Sequence, residues 1–274
     1  MENEKLREHA TNVRKNILTE IHAAHSGHPG GSLGAADIVT TLYFDEMDIT
    51  ADNVDSIERD RFVLSKGHAS PLLYAVLCEK GFLPEEELLT FRHINSRLQG
   101  HPNMNYLPGV DMSTGSLGQG VSTAVGMAMA NKLDKKPYRV YTLLGDGECQ
   151  EGQVWEASMA AGHYQLDNLC VIVDHNGLQI DGEVAKVMNV DPLEDKFKAF
   201  NFHVIKINGH DYDEIKAALK EARETKGMPT AIIAMTTKGK GVSFMENQAG
   251  WHGTAPNDEQ YEQAMKELGG IDHE

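Results

Sequence analysis

Arg139-Val140-Tyr141-Thr142-Leu143-Leu144-Gly145-Asp146-Gly147 is an apolar run that ends in an acidic residue held between two glycines. A second run of the same kind, Leu169-Cys170-Val171-Ile172-Val173-Asp174, breaks into His175-Asn176-Gly177-Leu178. Between them, residues 151–164 have the length and composition of a helix. Strands so continuously apolar, joined by a helical spacer, predict parallel neighbours buried on both faces of a sheet. The fold class is therefore α/β, with helices flanking a parallel sheet.

Working outward, residues 61–64, 202–207 and 230–235 read as further strands. Leu6, Ala10, Val13, Ile17 and Ile21 recur at the spacing of one helix face, so a first helix should end near His25. The breaker-rich Ser26-Gly27-His28-Pro29-Gly30-Gly31-Ser32 is then a loop, and residues 33–44 a second helix. A helix after His68 should stop at Gly81. Pro84 ahead of Glu85-Glu86-Glu87 suits the first turn of another, where acidic charge meets the positive end of the dipole. Residues 213–225 and 257–268 read as later helices, and 238–256 as a long ordered loop, a length at which loops are usually functional.

The chain has 274 residues, 41% of them hydrophobic and 24% charged, enough to bury a full core as a single domain spanning 1–274. A formal charge of −16 and the absence of a basic run argue against nucleic acid as a partner. Cys78, Cys149 and Cys170 are odd in number and widely spaced, which fits neither a disulfide framework nor a zinc ribbon. No apolar stretch reaches the roughly 18 residues of a membrane span, and no secretion signal is legible. A reducing cytoplasm is the expected location.

Small ligands bind beyond the carboxyl ends of strands in open parallel sheets, which is where Asp146 and Asn176 fall. An aspartate, an asparagine and a free carbonyl such as that of Leu178 suit a hard cation of the Mg2+ or Ca2+ kind. Gly147 lets the backbone approach a bulky anion, and the helix beginning near Glu151 would add its positive end. Taken alone, Gly-Asp-Gly is a strand-ending turn; the asparagine one strand–helix–strand step later makes it a site. Histidines also stand beside glycine in breaker-rich loops: His28, His68, His101 and His252. Such settings expose an imidazole that titrates near neutrality and can pass protons, although a single histidine in a loop is more often an ordinary surface or core residue. His22, His25 and His28 at three-residue spacing do not make a zinc site, because successive steps rotate round a helix.

Gly-Asp-Gly followed by the spaced asparagine resembles the thiamin diphosphate motif. The ordered set of loops resembles transketolase over nearly the whole chain: His28 with Gly30-Gly31-Ser32-Leu33-Gly34, His68, His101-Pro102, Leu107-Pro108-Gly109 through Thr114-Gly115-Ser116-Leu117-Gly118-Gln119-Gly120, Asp146, and His252. The resemblance implies that Asp146, Asn176 and the Leu178 carbonyl bind Mg2+, for which Ca2+ or Mn2+ would substitute, and that Gly147 and Asn176 meet the cofactor. It implies His28, His101 and His252 around the substrate's reacting oxygens, and His68 and His252 toward the diphosphate. Gly115 and Leu117 would hold the aminopyrimidine through backbone groups. Glu151 matches a carboxylate in the proton network between paired active sites, and reads equally well as an acidic helix start. Glu156 stands in a similar position with less support.

Whole transketolases are more than twice this long, and the chain matches only their first domain. The glutamate that activates the cofactor, the aromatic pocket and the basic residues for the sugar phosphate all belong to the absent part. The resemblance therefore implies a split enzyme with a C-terminal partner subunit, in an α2β2 heterotetramer that acts in carbohydrate metabolism of the pentose phosphate kind. Deoxyxylulose-phosphate synthase and dehydrogenase-type thiamin enzymes share the metal motif, but the His28, His101 and Leu117 segments resemble transketolase more. A non-catalytic binding subunit is disfavoured because the histidine set is complete.

Overall fold

The computed structural model describes residues 1–269. Helix α1 (Asn3–Ala24) buries Leu6, Ala10, Val13, Ile17 and Ile21, as their spacing predicts, and closes at His25 in the left-handed conformation. Helices α2 (Pro29–Gly34) and α3 (Ala36–Thr41) follow, then a wide turn over Leu42–Glu46. The second helix thus starts at Pro29 and not at residue 33. Proline sits in its first turn, where a missing N–H costs nothing. Gly30 is tolerated there because a Cβ would lie 2.9 Å from the Trp251 carbonyl, so the late loop packs directly on the helix.

Strand β1 (Arg61–Leu64) leads through a turn at Gly67–Ala69 into α4 (Ser70–Glu79). The helix expected after Pro84 is only a tight 3-10 turn, Glu85–Thr90. Helix α5 (Gln119–Asp134), which the sequence pattern did not predict, precedes β2 (Val140–Gly145), α6 (Gly152–His163) and β3 (Leu169–His175). A small hairpin of β4 (Leu178–Gln179) and β5 (Gly182–Glu183) comes next, with the short helices α7 (Val184–Val187) and α8 (Leu193–Ala199). The chain continues through β6 (His203–Asn208), α9 (Tyr212–Glu224), β7 (Thr230–Met235), the long loop, and α10 (Asp258–Glu267).

The five longer strands form one parallel sheet in the order β1-β2-β3-β7-β6. Each strand feeds two cores, because alternate side chains point to opposite faces. Val63, Val171, Val173 and Ile233 pack with Val121 and Val125 of α5, Val154 of α6 and Phe197 of α8. Phe62, Leu64, Ile172 and Ile232 pack with Ile17 of α1, Leu72 and Val76 of α4 and Leu219 of α9. Both faces are covered, as the continuous apolar runs require. Every strand runs the same way, so the carboxyl ends of β1, β2, β3 and β7 open on one edge.

Candidate active site

Four strand ends supply the polar groups of that edge. β1 runs into Ser65 and Lys66, β2 into Asp146, β3 ends with Asp174 and His175 before Asn176, and β7 is followed by Thr236 and Lys238. Of these, Lys66, Asp146, Asp174, Asn176 and Lys238 border a cavity of about 310 Å³, also lined by His68, Leu117, Gly147, Glu151, Leu178 and His252.

The metal-ligand candidates lie on two facing turns. Asp146 is 2% exposed; its carboxylate accepts from Gly147 N at 2.7 Å and from Gly177 N at 2.5 Å. Asn176 Oδ1 accepts from Leu178 N at 3.1 Å, while its amide donates to Asp174 at 3.1 Å. Burial, then the neighbouring Asp174 charge, pushes the Asp146 carboxyl above its usual range. A divalent cation there would relieve both effects, and each carboxylate oxygen keeps a lone pair for it. The Leu178 carbonyl already accepts from a cation, the Lys238 ammonium at 3.2 Å. The donor set fits Mg2+.

Two buried lysines beside it fit an anion. Lys66 Nζ donates to Asp174 at 2.5 Å and to the Gly31 carbonyl at 2.8 Å, and Thr236 also donates to Asp174. Full burial would raise the Asp174 carboxyl, but the paired Lys66 ammonium outweighs it and holds the group below its usual range. Lys238 is equally buried, with the Leu178 carbonyl as its hydrogen-bond partner among the described residues, so two of its three donors remain to be satisfied. Burial and then the Lys66 charge press its ammonium down to about 8. A diphosphate would satisfy those donors and pair the charge.

The histidines expected around the substrate converge on the same edge. His28, His68 and His252 have ring centroids 5.2 to 5.6 Å apart. Burial, then Arg92, His101 and Lys238, lower His28 to about 4; burial, then Lys238 and His28, lower His252 to about 3. His68 is driven well below its ordinary value by burial and then Lys66. At neutral pH all three are uncharged imidazoles, each with one donor and one acceptor nitrogen. His101 makes no ring contact with that trio among the described residues, although its charge acts on His28, and it packs on the Gly115 loop: its Cδ2 is 3.1 Å from where a Cβ at Gly115 would stand. Glu151 lines the cavity, is exposed, and occupies the N-cap of α6 without a capping side-chain bond. Glu156 is exposed on α6 and does not line the cavity.

The transketolase, thiamine diphosphate binding domain family matches residues 6–274. This chain belongs to the transketolase family. It is an N-terminal, cofactor-binding transketolase unit: a 6-deoxy-6-sulfo-D-fructose transketolase subunit of a Clostridium species is 45% identical over 96% of this chain and 96% of its own length. An apulose-4-phosphate transketolase subunit of Phocaeicola vulgatus is 44% identical, covering 93% of this chain and 90% of its own. Rat transketolase is 44% identical over 96% of this chain, which spans 42% of that enzyme. The crystal structure of Campylobacter jejuni transketolase superposes with a TM-score of 0.94 at 38% identity, covering the whole of this chain and 44% of that one.

Sequence reasoning missed Lys66, Lys238, Asp174 and Glu148. Lys66 stands in Ser65-Lys66-Gly67-His68, and Lys238 in Lys238-Gly239-Lys240-Gly241, each just past a strand, which was the available signal. Glu148, next to Gly147, is 2% exposed and accepts from Ser65 Oγ at 2.5 Å, Gly118 N at 2.8 Å and Gly145 N at 3.1 Å. Nothing local distinguishes it from the acidic start of a helix.

Proposed function

We propose that this chain is the N-terminal subunit of a two-subunit transketolase, which uses thiamin diphosphate and Mg2+ to move a two-carbon ketol unit from a ketose phosphate to an aldose phosphate. The observation that carries the proposal is the convergence of Asp146, Asn176 and the Leu178 carbonyl beside Lys66 and Lys238. It is a cation set and an anion set sharing one cavity, as a metal-bridged diphosphate demands. Bound there, the cofactor would supply the electron sink for breaking and making a carbon–carbon bond.

The chain's own residues supply position and protons. Asp146, Asn176 and Leu178 hold the cation, and Gly147, Lys66, Lys238 and His68 face the diphosphate. Gly115 and Leu117 offer backbone groups to the pyrimidine. His28, His101 and His252 face the sugar; neutral imidazoles exchange protons with hydroxyl and carbonyl oxygens without placing a fixed charge beside the reacting carbon. Glu151, exposed at the rim, is the group available for a proton link to a second site. The partner supplies the activating carboxylate and the groups for the sugar's anionic end, in an α2β2 assembly in the cytoplasm. Relatives of similar length carry names for 6-deoxy-6-sulfo-D-fructose and for apulose-4-phosphate, so membership of the family leaves the donor and acceptor sugars open.

The test is reconstitution. The chain is mixed with a candidate C-terminal subunit, thiamin diphosphate and Mg2+, and ketol transfer from xylulose 5-phosphate is compared with pyruvate turnover. Transfer in the mixture alone supports the proposal. Pyruvate decarboxylation, or activity of the isolated chain, would count against it.

A further inference from the structure

We propose that Tyr74 and Ser70 are positioning residues that set His101 over the Gly115 loop, an inference that rests on His101 facing the substrate. The two side chains lie one helical turn apart on α4, immediately after the turn that carries His68, and both are fully buried. Ser70 Oγ donates to the Gly100 carbonyl at 2.9 Å. Tyr74 Oη donates to the Gln99 carbonyl at 2.8 Å and lies 3.4 Å from that of His101. Two hydroxyls therefore hold two successive carbonyls, those of Gln99 and Gly100, with that of His101 alongside, in a segment outside any strand or helix, where backbone groups must find side-chain partners or go unpaired.

The other edge of the segment is fixed as well. Thr114 N donates to the Pro102 carbonyl at 3.3 Å, and Met104 N to Ser113 Oγ at 3.1 Å, clipping the His101 segment to the loop that bears Gly115. The His101 ring itself has no hydrogen-bond partner among the described residues. With no hydrogen bond to the ring, its placement follows the backbone, which α4 holds on one side and the Ser113–Thr114 stretch on the other. One helix thus sets two functional histidines: His68 from the turn at its start, and His101 through two hydroxyls on its face.

The experiment uses Tyr74→Phe, Ser70→Ala and His101→Ala, singly and in pairs, in the reconstituted two-subunit enzyme and in the full chain alone. Tyr74→Phe should lower kcat/KM about tenfold, the size of one lost buried hydrogen bond, and change cofactor affinity far less. In a His101→Ala background the same change should cost almost nothing, because its effect passes through that ring. Burial and then the Arg92 charge hold the His101 imidazole below its ordinary pKa, so in the full chain imidazole NMR should show the His101 resonances moving and its pKa rising toward the ordinary value as the loop loosens, with those of His252 unmoved. Equal losses in the two backgrounds, or an unmoved His101 spectrum, would overturn the proposal. Should His101→Ala leave transfer unchanged while the NMR shift is present, the placement stands and the substrate-facing role of His101 is what fails.

Discussion

The Glu148 carboxylate lies 2.5 Å from the Ser65 hydroxyl, and through its other bonds it joins the end of β1 to the start of α5 and the end of β2. Lys66, Leu117 and Asp146, three groups of the cavity, follow or adjoin those three attachment points. A buried carboxylate with three donors acts as a gauge for the spacing of three loops. Burial raises its pKa, with the bonds from Ser65, Gly118 and Gly145 offsetting part of that.

Glu148→Gln tests the gauge. One oxygen serves Ser65 and Gly118 and the other serves Gly145, so a glutamine in either orientation points its NH2 at a backbone N–H. One donor is left unpaired in the interior, a cost of about 1–3 kcal/mol. Urea unfolding of the chain should show a lower midpoint, and isothermal titration of the assembled enzyme should show weaker cofactor binding. An unchanged midpoint together with unchanged affinity would mean the three loops are held by other contacts.

Asp146→Ala is expected to abolish metal-dependent cofactor binding. In the metal-free chain two effects oppose each other: the substitution removes a buried carboxylate that lies against the Asp174 charge, and it leaves Gly147 N and Gly177 N without their acceptor. The discriminating measurement is therefore the ligand response: thermal unfolding of the assembled enzyme should lose its rise with Mg2+ and thiamin diphosphate. In the unaltered protein, metal affinity should fall on acidification from a higher pH than an ordinary aspartate would give, since protons compete for a carboxyl whose pKa is raised. Full metal-dependent binding by the alanine variant would place the cation elsewhere.

Much of this site is legible in the sequence because its chemistry is local. Gly145-Asp146-Gly147 and Asn176 sit at the ends of apolar runs, and each histidine loop carries its own breakers. What could not be read depends on distance in space. Lys238 reaches the Leu178 carbonyl, and Thr236 reaches Asp174, only because β7 inserts between β3 and β6, and chain order alone puts β7 at an edge. Helix α5 escaped notice for another reason. Its Ala, Gly and Met residues give little contrast between faces, yet Val121, Ala124, Val125 and Ala128 are buried against the sheet. Helix α2 was hidden by its glycines, which normally signal a loop and here admit the Trp251 loop.

Lys238 gives the site a basic limb. Its ammonium is pressed down to about 8, so near that pH roughly half of the free chains have lost the charge that would meet a diphosphate. Affinity for the cofactor should decline as pH rises through 8, above the range where phosphate itself titrates. Binding near pH 8 should take up protons, seen as a difference in apparent heat between buffers of unlike ionisation enthalpy. Lys238→Met should remove both the decline and the uptake. Proton release, or an affinity flat from pH 7 to 9 in the unaltered protein, would sink the assignment.

Glu20 carries the last expectation, one of stability. It lies on the packed side of α1 between Ile17 and Ile21, fully buried, and neither carboxyl oxygen has a hydrogen-bond partner among the described residues. Burial alone pushes its pKa well above the ordinary value of 4.5. The folded chain therefore keeps a proton that the unfolded chain releases once pH passes 4.5. The sign follows: this group's contribution is intact below that pH and is lost as pH rises toward the elevated folded value, by up to about 1.4 kcal/mol per pH unit. Glu20→Met keeps the length of the side chain and removes the ionisation, so it should stabilise the chain more at pH 8 than at pH 5. Urea midpoints at the two pH values decide it. An equal gain at both would show that the carboxyl is charged or hydrated in the folded protein, and a loss at pH 8 would show that it has a partner which methionine cannot replace.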